Sequence, residues 1–343
     1  MTKRILSVLL ALAVITTGVF ASGAAEAAPA GEAQPVELSF SSQSVPGDAH
    51  TEAMNIFKRE VEERSGGQIT VDVYHSGQLF TQEGEQTAIR RGTVDLVYTS
   101  PPWLSEFIPY MSMFAAAYTF NGYEHMRAVY DSEIGERLFS DVVEEVGIRP
   151  LSAFYLGTRQ LNLVESVGPV RTPQDMAGVK FRVPGSPSWI AMGRALGGDP
   201  TPLAFTEVYL GLQTGTVEGQ DNPLPTDYNA KFYEVTKYIV LTDHVVDTVW
   251  PTINEAKWQS LTAQQQQWIL ESLEVAKEYV DETNLANEAR LAEYFESEGL
   301  IIIDDPDKEA FMEFARNSYI NDSPEISSAW DLDLYEQIGA MAP

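Results

Sequence analysis

The sequence predicts an α/β protein of two domains tied together by one long helix, and three observations carry that prediction. From Val36 onward, short apolar runs of strand length alternate with segments whose apolar residues recur at helical spacing. That is the pattern of a largely parallel sheet with helical crossovers. The chain has 343 residues, enough for two domains, and its apolar content of 44% is ordinary for a globular protein. Finally, Ala263 to about Glu298 reads as a single helix without an internal glycine or proline. At 1.5 Å per residue its roughly 36 residues span about 54 Å, more than the width of one domain.

Taken in order, the chain opens with Lys3 and Arg4, an apolar run from Ile5 to about Phe20, and small residues through Ala28. This is the layout of a secretory signal, and the run is short of the roughly 20 residues of a membrane span. Residues 1–27 are therefore read as a signal peptide, with cleavage after Ala21 or Ala27, and residues 28–35 as a flexible tether, which places the mature protein in the periplasm. Val36–Ser41 is the first strand, and a polar loop around Gln43 follows its carboxyl end. A helix from about His50 to Ser65 sets Met54, Phe57 and Val61 on one face, and Gly66 closes it. Ile69, Val71 and Val73 alternate as a strand. A helix from about Gln82 to Arg91 stops at Gly92, and the strand Val94–Tyr98 runs into Thr99, Ser100, two prolines and Trp103. Two amphipathic helices fill Tyr123 to Gly147, the second with Leu138, Val142 and Val146 as its apolar stripe. Leu151–Tyr155 and Leu161–Val164 are strands separated by Gly157-Thr158-Arg159-Gln160, which reads as a crossing between domains. Val245–Ile253 contains Trp250 and Pro251 and is expected to be the return crossing at a sheet edge. In the long helix, Trp268, Val275, Tyr279 and Leu291 are candidates for burial. The domains expected are 36–159 with 248–287, and 160–247 with 288–343.

The most informative stretch is Gly178 to Pro225. Lys180–Val183 is a short strand that delivers one cation, Arg182, just before Pro184 and Gly185 force the strand to end. A helix from about Ser186 to Leu196 follows, stopped by Gly197 and Gly198. A second begins near Phe205, with Thr206 in N-cap position and Glu207 in the first turn. Val217–Asn222 is then another strand that ends at a proline. Arg182 and Asn222 thus sit at the carboxyl ends of strands, where ligands of open α/β sheets bind. A guanidinium offers a fixed fork to a carboxylate, and an amide can donate or accept beside it.

Arg159 to about Tyr238, with KFRVPGSP, PTPLAFTEVYLGLQTGTVEGQDNP and KFYEV, closely resembles the extracytoplasmic solute-binding proteins of TRAP (tripartite ATP-independent periplasmic) transporters. Weaker resemblance extends over nearly the whole chain after the leader. The resemblance implies a two-domain Venus-flytrap fold whose long helix lies across both domains, a monomer, and membrane permease subunits as partners. It also implies that Arg182 pairs with the carboxylate of a small organic acid, and it makes Arg159 a second candidate for the anion. Phe205 is expected as an apolar wall, Trp250 as a pocket residue, and Gln43 and Ser100 as the first domain's contacts. Glutamine, serine and asparagine around the strand ends suit hydroxyls, so a sugar acid of uronate type leads, with a C4-dicarboxylate second if Arg159 takes another carboxylate. A ligand sensor for a receptor kinase, or a secreted sugar-acid lyase or hydrolase, are the other classes weighed.

Charge and motifs exclude most else. With 22 basic and 50 acidic residues the net charge is -28, which repels nucleic acid and anionic membranes. There are no cysteines, hence no disulfides or thiolate metal sites. No nucleophile elbow, phosphate loop or dinucleotide fingerprint occurs, and the four histidines lack metal-helix spacing. No cofactor, metal or enzymatic activity is expected. Asp243-His244 with Asp247, and Asp304-Asp305-Asp307, are read as solvated turn residues.

Overall fold

Parallel strands flank a central antiparallel pair in the computed structural model, which describes residues 34–343; the expected signal peptide and most of the tether lie outside the described residues. The first half contains β1 (Val36–Ser41), α1 (Ala49–Arg64), β2 (Ile69–Tyr74), α2 (Gln82–Arg90), β3 (Leu96–Thr99) and the short α3 (Pro101–Leu104). Then come α4 (Tyr123–Tyr130), α5 (Glu133–Val146) and β4 (Ile148–Pro150). β1 runs parallel to both β2 and β3. The stripe expected on α5 is buried: Leu138, Val142 and Val146 all face the core.

The chain enters the other half through β5 (Phe154–Leu163), followed by β6 (Lys180–Val183), α6 (Pro187–Ala195), β7 (Asp199–Pro202), α7 (Val208–Thr214), β8 (Gly219–Pro223) and α8 (Leu224–Asn229). It returns through β9 (Tyr238–Asn254) and α9 (Glu255–Ser260) to α10 (Ala263–Ser297), and closes with β10 (Ile301–Ile303), α11 (Lys308–Asn321), α12 (Pro324–Ser327) and α13 (Leu332–Ala340). β6 is parallel to β7 and β8, and the strand order is β2-β1-β3-β9-β5-β8-β6-β7, with β4 and β10 also pairing with β9.

Two crossings differ from expectation. The residues around Gly157 do not interrupt the strand; β5 is continuous, and the irregularity is absorbed by register shifts against β9 at Tyr155/Gly157 and Arg159/Leu161. A bulge keeps the ladder while bending it, which strand patterning alone does not distinguish from a break. β9 is likewise longer than Val245–Ile253 and is central rather than an edge, pairing with β3, β4, β5 and β10. Pro251 is accommodated opposite Tyr98.

Gly157 has to be glycine. Its φ is 129°, and a Cβ there would lie 2.5 Å from Pro223 Cβ and 2.9 Å from Glu288 Oε1.

α10 is one unbroken helix of 35 residues, opened by a capping box in which Thr262 and Gln265 bond each other's backbone N–H. Its first half packs Ile269, Leu273, Ala276 and Val280 into the core beneath β1 and α1, and its far end packs Leu291 and Phe295 against Leu224 and Ile239. Between these patches a polar row grips β5: Asp281 accepts from Tyr155 N, Asn284 donates to Tyr155 O, and Glu288 accepts from Thr158 N. Burying each large apolar side chain contributes about 1.5–3 kcal/mol, so both ends are firmly held. Leu291 is buried as expected, Trp268 and Val275 are half-buried, and Tyr279 is exposed instead, on the solvent side of the helix.

Candidate functional site

The parallel strands of both halves point their carboxyl ends at one cavity, with β5 and β9 forming its floor. It holds about 770 Å³ of empty space, part of it open to solvent. Ser42 and Gln43 reach it from the end of β1, Thr99 and Ser100 from the end of β3, Arg182 and Pro184 from β6, and Asn222 from β8. Arg159 comes from β5, and Asp247, Thr248 and Val249 from β9.

Arg182 is 1% exposed. Its Nε donates to Leu203 O at 2.9 Å, but among the described residues neither terminal nitrogen has a protein partner, and Nη2 is fully buried. Burial pushes this guanidinium down to about 10, with Asp221 and Glu83 opposing and Arg159 adding to the effect, so it stays charged at neutral pH. One residue further on, Val183 ends the strand and Pro184 and Gly185 follow it, which leaves Arg182 beside the strand's carboxyl end at the cavity.

Arg159, 5% exposed, is differently placed. Its Nε donates to Asp247 Oδ2 at 2.7 Å. Nη1 donates to Asp221 O at 2.9 Å, and reaches Asp221 Oδ2 and Asn222 Oδ1 at 3.3 Å each. The guanidinium also lies over the Trp189 ring, 4.4 Å from its centroid. Burial opposes its charge, but Asp247 and Asp221 outweigh burial and raise its pKa. Burial likewise pushes against the charge of Asp221, yet Arg159 and His244 hold that carboxyl below the ordinary range.

The opposite wall carries an acid. Glu85 on α2 is 1% exposed and accepts a hydrogen bond from Ser41 Oγ at 2.7 Å. Burial raises its pKa to about 8; hydrogen bonds from Ser41 and Gln43 act against this, and the charge of Glu83 adds to it. Ser100 stands at the N-cap of α3 without capping it, and its hydroxyl has no partner among the described residues, whereas Gln43 Nε2 also donates to Phe80 O at 2.9 Å.

A sequence model described as "Bacterial extracellular solute-binding protein, family 7" matches residues 40–322. The chain belongs to that family. The sialic acid-binding periplasmic protein of Vibrio cholerae is 30% identical over 282 residues, 82% of this chain and 87% of that one. A TRAP periplasmic solute-binding protein from Roseobacter denitrificans, solved with 3-deoxy-D-manno-oct-2-ulosonic acid bound, superposes with a TM-score of 0.84 at 35% identity, covering 90% of this chain and all of that one. Another, from Sulfurospirillum deleyianum with succinate bound, gives 0.81 at 25% identity over 90% of this chain and 99% of that one. This member of family 7 therefore has the two-domain α/β fold of TRAP periplasmic binding proteins, and its relatives are solute-binding proteins rather than enzymes.

Six of the seven residues singled out in the sequence line the cavity of this family 7 protein: Arg182, Arg159, Asn222, Phe205, Gln43 and Ser100. Trp250 does not. It is fully buried in the first half's core, its ring edge-on to Tyr130 and Phe139, and its Nε1 donates to Thr248 Oγ1. Thr248 and Trp250 share a face of β9, being two residues apart; Thr248 borders the cavity, and Trp250 lies one step further along the strand, behind it and bonded to its hydroxyl. Phe205 begins a 3₁₀ turn rather than an α-helix, and Thr206 makes no cap; α7 starts only at Val208.

Asp247 and His244 are buried, not solvated. Asp247 pairs with Arg159, and His244 bridges Thr242 Oγ1 and Asp221 Oδ2. Asp243 pairs with Lys308, while Asp305 pairs with Arg171 on the surface and Asp307 caps α11, as turn residues do. Glu85, Trp103 and Trp189 were not legible as site residues. Only Glu85 had a weak signal, as an acid on the helix face that Ile89 shows to be buried.

Proposed function

We propose that this protein captures a sugar acid carrying a single carboxylate, in the periplasm after removal of the 1–27 leader, and delivers it as a monomer to TRAP permease subunits. Arg182 carries the reading. A buried cation whose terminal nitrogens lack partners is costly, and a ligand carboxylate taking both through a bidentate contact offsets that cost. Asn222 and Ser100 supply polar contacts, Phe205 an apolar wall, and Gln43 closes the first-domain side. Arg159 assists by shaping the floor, because its own charge is already answered by Asp221 and Asp247.

The choice of a sugar acid over a dicarboxylate rests on Arg159, whose charge is already answered by Asp221 and Asp247, so that it offers no free counter-charge to a second carboxylate. Glu85, Ser100 and Asn222 can instead exchange hydrogen bonds with hydroxyls. Sialic acid and 3-deoxy-D-manno-oct-2-ulosonic acid, bound by two of the relatives, are polyhydroxylated acids with one carboxylate. The ligand would close the domains 36–159 with 248–287 and 160–247 with 288–343 about the β5 and β9 crossings.

A thermal-shift screen tests this, since a ligand that binds only the native state raises the melting temperature. Aldonates, uronates or 2-keto sugar acids are expected to stabilise the purified protein, and succinate and malate to leave it unmoved. Stabilisation by dicarboxylates alone would overturn the reading. Intact-mass measurement of exported protein checks the leader: a chain still holding Lys3 and Arg4 would contradict it.

A further inference from the structure

From the cavity wall inward lies a hydrogen-bonded chain that runs in one direction. Arg159 Nη1 donates to Asn222 Oδ1 at 3.3 Å, Asn222 Nδ2 to Gln220 Oε1 at 2.5 Å, and Gln220 Nε2 to Asp227 Oδ1 at 2.8 Å. Asn222 is 3% exposed, and Gln220 and Asp227 are wholly buried; of the three only Asn222 reaches the cavity.

The chemistry of the arginine end dictates the direction. An arginine has only donors, so the atom that Asn222 turns toward it must be the oxygen. The Asn222 nitrogen then faces Gln220, which must answer with its own oxygen and is left with its nitrogen toward Asp227. A carboxyl oxygen accepts that bond. An amide by itself has two nearly equivalent orientations, and a flip at Asn222 would set oxygen where the nitrogen now stands. Here a flip would set the Asn222 nitrogen against the Arg159 guanidinium and its oxygen against Gln220 Oε1, which is costly away from water.

We propose that Asp227 and Gln220 are positioning residues that hold the Asn222 amide in this orientation, so that Asn222 meets a bound carboxylate with its remaining N–H and not with its oxygen. The chain thus makes Asn222 a second donor beside Arg182, set by a residue that never touches ligand. The inference rests on the reading of the cavity as a carboxylate site only for its effect on binding; the amide orientation exists in the free protein.

Two measurements test it. In ligand-free protein labelled with ¹⁵N at asparagine and glutamine, the Asn222 side-chain pair, assigned by its loss in Asn222→Ala, is expected to show one strongly hydrogen-bonded, slowly exchanging proton. That signature should persist in Asp227→Asn, whose amide oxygen can still accept from Gln220, and collapse toward a solvated pair in Asp227→Leu and Gln220→Met. An unchanged pair in both latter variants overturns the proposal, and Gln220→Met keeps it testable if Asp227→Leu does not fold.

The second measurement is calorimetric titration with D-galactonate. Asp227→Leu should weaken binding about tenfold, the size of one lost hydrogen bond, and Asp227→Asn should restore it to within about twofold. In an Asn222→Ala background, Asp227→Leu should cost nothing further, because the chain acts only through Asn222. Additive losses would mean a merely structural role and overturn the proposal. If the unmodified protein binds no sugar acid at all, the ligand reading fails, and the amide resonances still decide the positioning role.

Discussion

Two arginines stand in one cavity, both almost wholly buried, and they are held in opposite ways. Arg159, on the shared floor, is answered by Asp247, Asp221, Asn222 and the Trp189 ring. Arg182, at the end of β6, gives one nitrogen to a backbone carbonyl and, among the described residues, has no partner for either terminal nitrogen. Burial therefore does not by itself distinguish a structural cation from a receptor. What distinguishes them is whether the protein supplies the counter-charge: where it does, removal damages the fold, and where it does not, removal damages binding.

The sharpest test is Arg182→Ala. It should weaken sugar-acid binding by on the order of a hundredfold to a few thousandfold, from a buried pair that costs roughly 3–5 kcal/mol to break. The ligand-free fold should melt no earlier than wild type, since an unpaired buried cation is removed. Near-normal affinity by calorimetry would sink the contrast.

Arg159→Ala should show the reverse emphasis. Asp221 and Asp247 would be left buried without their cation, and denaturant unfolding should report a loss of roughly 3–5 kcal/mol in stability. A variant as stable as wild type but unable to bind would mean that Arg159, too, is primarily a ligand group.

The bend that places Arg159 is tested by Gly157→Ala. With φ at 129° and Pro223 in the way of a Cβ, about 1–3 kcal/mol of stability should be lost. An unaffected melting temperature would show that the bulge can relax.

The smallest effect concerns the far wall. The Glu85 pKa is raised by burial to about 8 in the folded protein from 4.5, so the folded state retains a proton that the unfolded chain releases. Its stabilising contribution is fully present below about pH 4.5 and is lost as pH rises toward 8. Glu85→Gln removes that dependence, so its melting temperature should gain on wild type across this window and stay level above it. A constant difference across that range would contradict the buried-acid assignment.

The sequence by itself settled what depends on neighbours along the chain. β1 and β6 fall where alternation and Pro184 put them, α10 runs nearly its whole predicted length because nothing inside it breaks a helix, and Arg182 stands at a strand end because Pro184 and Gly185 stop β6 one residue after it. Strand ends are likewise local events, which is why Gln43, Ser100, Arg182 and Asn222 could each be placed at or beyond the carboxyl end of a strand before the strands were paired. Only the tertiary structure decided which partners meet across long stretches of sequence. Arg159 and Asp247 are far apart in the chain, and their ion pair exists because β5 and β9 run antiparallel through a bulged register that no local pattern specifies. Helix packing likewise decides Trp250: it shares a face with Thr248, but Tyr130 and Phe139 cover it while Thr248 is left at the cavity. Glu85 meets Ser41 only because α2 packs over the end of β1. A residue's type and its immediate neighbours fix which way it can point, but the charge it meets there is set by strand pairing and helix packing, and these depend on the chain as a whole.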